Sequence, residues 1–197
     1  VAGLFDLYTT HTFSWAWTLA LPVAAGSLLT LALVFPQETA LVARSPGLRW
    51  LGFIPAGLLA VLAERVLYDM QRPTAYAMAW RNEFAFAAAA IAIFLGVMLF
   101  RRLRAPSPIA REQARVILWS SALGFGPLLY YLSLSSAGAQ IAFNVWLNFA
   151  PLVCFPLGVG YAILRYRLLD TERIIGRTIL YVLLAAIAGT AYTLLVS

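Results

Sequence analysis

Long apolar stretches alternate with short polar links along this chain. The apolar stretches are longer and more continuous than the half-polar helices of a soluble domain. Crossing the hydrocarbon core of a bilayer takes about 20 residues of α-helix, and six stretches approach or reach that length. The first, Phe13 to Phe35, stops at Pro36, and the second, Leu48 to Tyr68, contains Pro55. The third, Phe84 to Leu103, opens on the alanine-rich "FAFAAAAIAIFLGVMLF". The fourth, Val116 to Leu134, contains "GFGP", and the fifth, Ile141 to Leu164, contains Pro151 and Pro156. The sixth runs from Thr178 to Val196. This pattern predicts an all-α, polytopic membrane helix bundle: one transmembrane domain over residues 1–197, with no soluble domain.

Composition agrees with the pattern. Hydrophobic residues make up 62% of the chain and charged residues 11%, against about 25% charged in soluble domains. The net charge of +6 comes entirely from arginine, fourteen of them with no lysine. They stand in short clusters between apolar spans, which argues against nucleic acid as a partner and reports topology instead. The links after the first, third and fifth spans hold eleven arginines, among them Arg44, Arg49, Arg101, Arg102, Arg104, Arg111 and Arg115. The alternate links hold three, Arg65, Arg72 and Arg81. Cytoplasmic loops carry the arginine excess, so the N-terminus is expected outside and the links 101–115 and 165–177 in the cytoplasm. A sixth span then ends outside, and at least one further span beyond Ser197 is expected to return the chain. Trp15, Trp17, Trp50, Trp80 and Trp146 fall near the span ends, where indole rings anchor at the interface.

The residues exclude several chemistries. Cys154 is the only cysteine and His11 the only histidine, so no metal cluster is expected. An intramembrane serine protease needs a serine partnered by a histidine; Ser120 and Ser121 lie at membrane depth, and His11 is in the outer tail. No phosphate-binding glycine loop occurs. No catalytic residue, cofactor or metal site is expected.

Polar residues inside a bilayer are costly and mark packing or function. On the expected topology they gather in the outward half: Glu64 and Arg65 in the second span, Tyr130 and Tyr131 in the fourth, and Asn144 and Asn148, one helical turn apart, in the fifth. One reading is interhelical glue. The other is an outward-facing pocket that senses a small or lipid-like ligand, with Pro127, Pro151 and Pro156 bending helices to open space. Gly124, Gly126, Gly158 and Gly160 are expected to permit close helix approach. At the opposite end, Arg165, Arg167, Asp170, Glu172, Arg173 and Arg177 crowd into thirteen residues. Asp170 suits a helix N-cap and Glu172 the first turn after it, giving a tight hairpin with a basic rim. The hairpin serves as a topology anchor or as a lever to a cytoplasmic domain. A transporter or permease domain, or a passive anchor and dimerisation module, are the rival readings. Against transport stand the lack of a clear midplane acid and of an inverted repeat.

The stretch "YAILRYRLLDTERIIGRTILYVLL", Tyr161 to Leu184, resembles the multi-span membrane input module of bacterial sensor histidine kinases, where "YAILRYRLxDIDRxINRTLVYxLL" is familiar; the competence-type, peptide-sensing kinases have a related input region. "LALPVAAGSLLTLALVFP" and "REQARVILWSSALGFGPLLYY" are similar to two other segments of that module. The sequence departs from the pattern at Asp170-Thr171-Glu172, where the family has Asp-Ile-Asp, and at Gly176, where it has Asn. The resemblance implies a sensory module in a bacterial inner membrane that passes a stimulus to a cytoplasmic kinase domain beyond Ser197, and a homodimer formed through the parent protein. No kinase motif lies within these residues.

Overall fold

The computed structural model describes residues 14–35, 42, 44–66, 73–105, 107–139, 141–142 and 144–166. Among them every element is helical: α1 (Ser14–Val34), α2 (Phe53–Val66), α3 (Pro73–Arg104), α4 (Pro108–Ser136), the short α5 (Val145–Phe149) and α6 (Cys154–Tyr166), with 3-10 turns at Pro46–Trp50 and Ala150–Val153. Five segments are long and apolar enough to cross a membrane: Trp15–Val34, Pro46–Val66, Thr74–Arg104, Pro108–Ser136 and Leu147–Arg165. They match the first five expected spans. The sixth, Thr178 to Val196, lies outside the described residues, as does most of the charged hairpin.

The helices overrun the apolar stretches at two places. α3 begins at Pro73 rather than Phe84, and α4 at Pro108 rather than Val116. Thirty-two helical residues reach about 48 Å, well beyond a hydrocarbon core of about 30 Å. The hydrophobic stretch marks only the part of a helix that suits lipid, and a proline opens each helix, at the position where its missing N–H costs least. Pro151 and Pro156 of the fifth span sit differently from the expectation of bent helices, and Pro55 of the second span sits in the same way as they do. α2 starts at Phe53, so Pro55 falls in its first turn. The fifth span is broken into α5, a 3-10 turn containing Pro151, and α6, with Pro156 in its first turn. A proline ring excludes the carbonyl four residues back, and at these three prolines the chain restarts a helix, whereas Pro22 and Pro127 stay inside the continuous α1 and α4.

Ring contacts fix the order of packing. Phe84 stands 6.3 Å from Tyr131, and Phe94 6.4 Å from Phe125, so α3 and α4 run antiparallel. Phe155 completes an aromatic cluster, 5.8 Å from Phe94 and 4.8 Å from Phe125. α3 is the central helix, packing against α1, α2 and α4, and α4 in turn carries α6. Beside a few large side chains such as Phe94, Met98 and Ile117, much of the buried face is alanine, and many large apolar residues face outward. Ala56, Ala60, Ala63, Ala87 and Ala90 are at most 5% exposed, whereas Ile54, Leu58 and Leu123 are 69%, 61% and 63% exposed. An outer surface so rich in large apolar residues is unlike that of a water-soluble domain and suits a bundle surrounded by hydrocarbon, where close backbone approach drives helix association.

The backbones of α1 and of the chain entering α2 approach closely at Gly26 and Gly52. A Cβ on Gly52 would lie 2.9 Å from the Gly26 carbonyl oxygen and 3.0 Å from Leu29 Cβ. Gly52→Val is therefore expected to lower stability by about 1–3 kcal/mol through overpacking, read as a fall in the melting temperature of the detergent-solubilised chain. Gly57→Ala, where a Cβ meets nothing within 4 Å, should leave that temperature unlowered. On the α4–α6 side, Gly124 and Gly158 pack against Pro151 and Ser120 with little or no room for a side chain, as expected of them, while Gly126 and Gly160 face open space.

Candidate functional site

One stripe of α3 organises the bundle. Glu83, Ala87, Ala90, Ile91, Phe94 and Met98 follow helical spacing and all are buried, and Arg101 continues the stripe by one turn. Glu83 and Arg101 thus stand eighteen positions apart, about 27 Å along the axis, close to the thickness of a bilayer core. The two charged residues terminate the buried seam at opposite ends.

At the Arg101 end the charge is fully used. Its Nη1 donates to the Phe35 carbonyl at 2.8 Å, and its Nη2 to the carbonyls of Ala32 at 3.0 Å and Leu33 at 3.2 Å. The last carbonyls of a helix have no intrahelical donor, and Pro36 has no N–H to offer Ala32. Arg101 supplies those hydrogen bonds from a neighbouring helix, locking the end of α1 to the end of α3.

At the Glu83 end the carboxyl group has no partner among the described residues. Glu83 is 0% exposed, and neither carboxyl oxygen has a hydrogen-bond partner among the described residues. Glu64, in the last turns of α2, is near enough for its charge to act on Glu83. Glu64 itself is bridged to α1: Thr18 Oγ1 lies 2.5 Å from Glu64 Oε1 and 2.8 Å from the Trp15 carbonyl oxygen. A hydroxyl has one proton to give, so it cannot donate to both. Either Thr18 donates to Glu64, or a protonated Glu64 donates to Thr18. Three helices thus bring a Thr18–Glu64 pair and Glu83 to one end of the bundle, with acceptor capacity left over at Glu83 among the described residues. Such a group is expensive, on the order of 1–3 kcal/mol, and packing gives no reason to keep it.

The residues anticipated for an outward pocket are distributed around this site in different roles. Glu64 is in it. Arg65, next along α2, is exposed. Tyr131 is half-buried against Phe84, whereas Tyr130 is 67% exposed. Asn144 and Asn148 do pair, but within their own segment: Asn148 Nδ2 donates to the Asn144 carbonyl at 2.8 Å, and Asn144 Oδ1 accepts from the Leu147 N–H at 3.1 Å. That is a helix cap, and it explains why α5 starts where it does. Arg81 of α3 rests its guanidinium on Gly138, in the turn after α4. Of the hairpin residues, Arg165 is exposed in the last turn of α6; Arg167, Asp170, Glu172, Arg173 and Arg177 lie outside the described residues.

Thr18 and Glu83 were not anticipated. Glu83 follows Arg81 and Asn82, which reads as the tail of a polar link. The signal that finds it is its register, one turn before Ala87 on the face that also carries Phe94. Elsewhere, a cleft of about 470 Å³ between α1, α3, α4 and α6 has Ser27 as its only polar side chain, and that hydroxyl is committed to the Val23 carbonyl at 2.8 Å. It suits hydrocarbon and offers no polar group for recognition. Among the described residues no group of three or more His, Cys, Asp or Glu side chains is placed to hold a metal ion. The chain matches no protein-family model, no curated protein and no solved structure.

Proposed function

We propose that this chain is the membrane-embedded sensory module of a bacterial signalling protein, a two-component histidine kinase. The single observation that carries the reading is Glu83, a wholly buried acid without a hydrogen-bond partner among the described residues, within reach of the charge of Glu64, which is itself bonded to Thr18. An ionisable residue inside a membrane bundle is by default a functional one, and this one lies at the end away from most of the arginines. With the arginine-rich end in the cytoplasm, the cluster is on the outer side. A stimulus that changes the bonding of Glu64 and Glu83 shifts the packing of α1, α2 and α3, and it biases that equilibrium only by its differential affinity for the two packings. α3 is the rigid element joining the cluster to Arg101, and the resemblance of residues 161–184 to kinase input modules supplies the expected readout, a cytoplasmic domain following the hairpin.

The test uses the full-length protein in inverted membrane vesicles with radiolabelled ATP. Acid-labile, histidine-linked phosphate should form on the protein. Vesicles that hold the intact protein and incorporate no phosphate would exclude the kinase reading.

A further inference from the structure

We propose that the groove between the end of α3 and the start of α4 is a binding site for the phosphate of an anionic phospholipid headgroup. The groove has a volume of about 370 Å³ and is lined by Arg102, Pro108, Arg111, Glu112 and Arg115. Three arginines from two helices therefore line one space, and Arg111 and Arg115 are one turn apart on the same helix face. The one acid present does little to neutralise them. Glu112 approaches Arg115 at 3.5 Å, with both side chains about half exposed, 52% and 54%, and such pairs are worth little.

Two further features define the ligand. The groove lies at the N-terminus of α4, whose Ser107 makes no side-chain cap bond, so the first amides and the positive end of the helix dipole also favour an anion there. Planar guanidinium groups match phosphate oxygens in geometry as well as charge. The surroundings make the phosphate that of a lipid. Arg102 stands 6.0 Å from the centroid of the Trp119 ring, and Trp119, Leu103 and Ile109 are exposed apolar side chains within two turns of the groove residues. Basic pockets between membrane helices, bordered by apolar surface, hold acidic headgroups while the acyl chains lie against the helices.

Arg101 gives the contrast. Its guanidinium turns inward and binds the end of α1, so adjacent arginines divide the work: Arg101 holds the fold together and Arg102 faces the groove. This site is independent of the sensory reading and is testable without it.

The test is native mass spectrometry of the full chain released from mixed micelles of phosphatidylglycerol and phosphatidylcholine. The wild-type chain should retain phosphatidylglycerol in preference to phosphatidylcholine. Arg102→Gln combined with Arg111→Gln should lower phosphatidylglycerol retention by about tenfold or more, the loss expected for one charge-assisted contact. The melting temperature of that variant is measured alongside to confirm that it folds. Arg104→Gln, an exposed arginine at the same end that does not line the groove, should retain the lipid like the wild type, and inorganic phosphate should not displace it. Equal retention by the folded double variant would overturn the proposal. So would an equal loss in Arg104→Gln, which would mean diffuse surface charge, or displacement by inorganic phosphate, which would make free phosphate the ligand.

Discussion

Glu83→Leu is expected to make the folded chain more stable, by about 1–3 kcal/mol, although it alters a central helix. A buried polar group left without a partner costs roughly that much, and both Glu83 carboxyl oxygens lack one among the described residues. The neighbouring Glu64 adds repulsion whenever both groups are charged. Leucine is close to glutamate in volume, removes the orphaned oxygens and continues the apolar stripe of Ala87, Ala90 and Phe94; replacing buried charge with apolar side chains of similar size is often neutral or stabilising. Glu83→Gln keeps the size and the polarity, so it should recover much less. Thermal unfolding in a mild detergent measures both. A Glu83→Leu chain that melts lower than the wild type would show that the carboxyl group holds the bundle together, and the case for a functional role at this position would fail.

Arg101→Ala has the opposite sign and the larger magnitude, a loss of about 3 kcal/mol. Three carbonyl oxygens at the end of α1 would lose their donor at once. A hydrogen bond to a charged group contributes roughly 1.5–3 kcal/mol, and three bonds from one guanidinium are not additive. Arg101→Lys should recover part of the loss, because an ammonium group is a point charge on a flexible stem and lacks the two separate nitrogens that reach Phe35 on one side and Ala32 and Leu33 on the other. Arg104→Ala, three residues on and exposed, should fall within about 0.5 kcal/mol of the wild type. The same unfolding measurement compares all three, and equal melting temperatures for Arg101→Ala and Arg104→Ala would show that the α1–α3 lock does not operate.

These two residues also show how far the sequence could be read. The apolar stretches located five membrane-length segments, because hydrocarbon length and helical rise leave little freedom. They did not locate the helix ends. Pro73 and Pro108 begin helices that continue past the apolar part, and the prolines at 55, 151 and 156 mark restarts, which a hydrophobicity pattern does not resolve. At the site, Glu64 was legible because it interrupts an apolar stretch. Glu83 and Arg101 were hidden because each borders a polar link, and only their helical register with Phe94 and Met98 assigns them to the buried face. The Asn144 and Asn148 pair was legible as two residues on one face, but spacing alone does not distinguish a cap from a contact between helices. Thr18 gave no signal, since a lone threonine in an apolar helix usually bonds its own backbone, and its contact with Glu64 depends on how α1 and α2 cross.

The central claim is that the outer acidic cluster sets the state which the arginine-rich end transmits. Its most direct test is phosphate incorporation from ATP by the full-length protein carrying Glu83→Leu, compared with the wild type at matched abundance in the membrane. Coupling between distant sites typically amounts to about 1–3 kcal/mol, or 5–150-fold, so the basal rate should change by about fivefold or more. A rate indistinguishable from the wild type, in a variant that is inserted and folded, would contradict the claim.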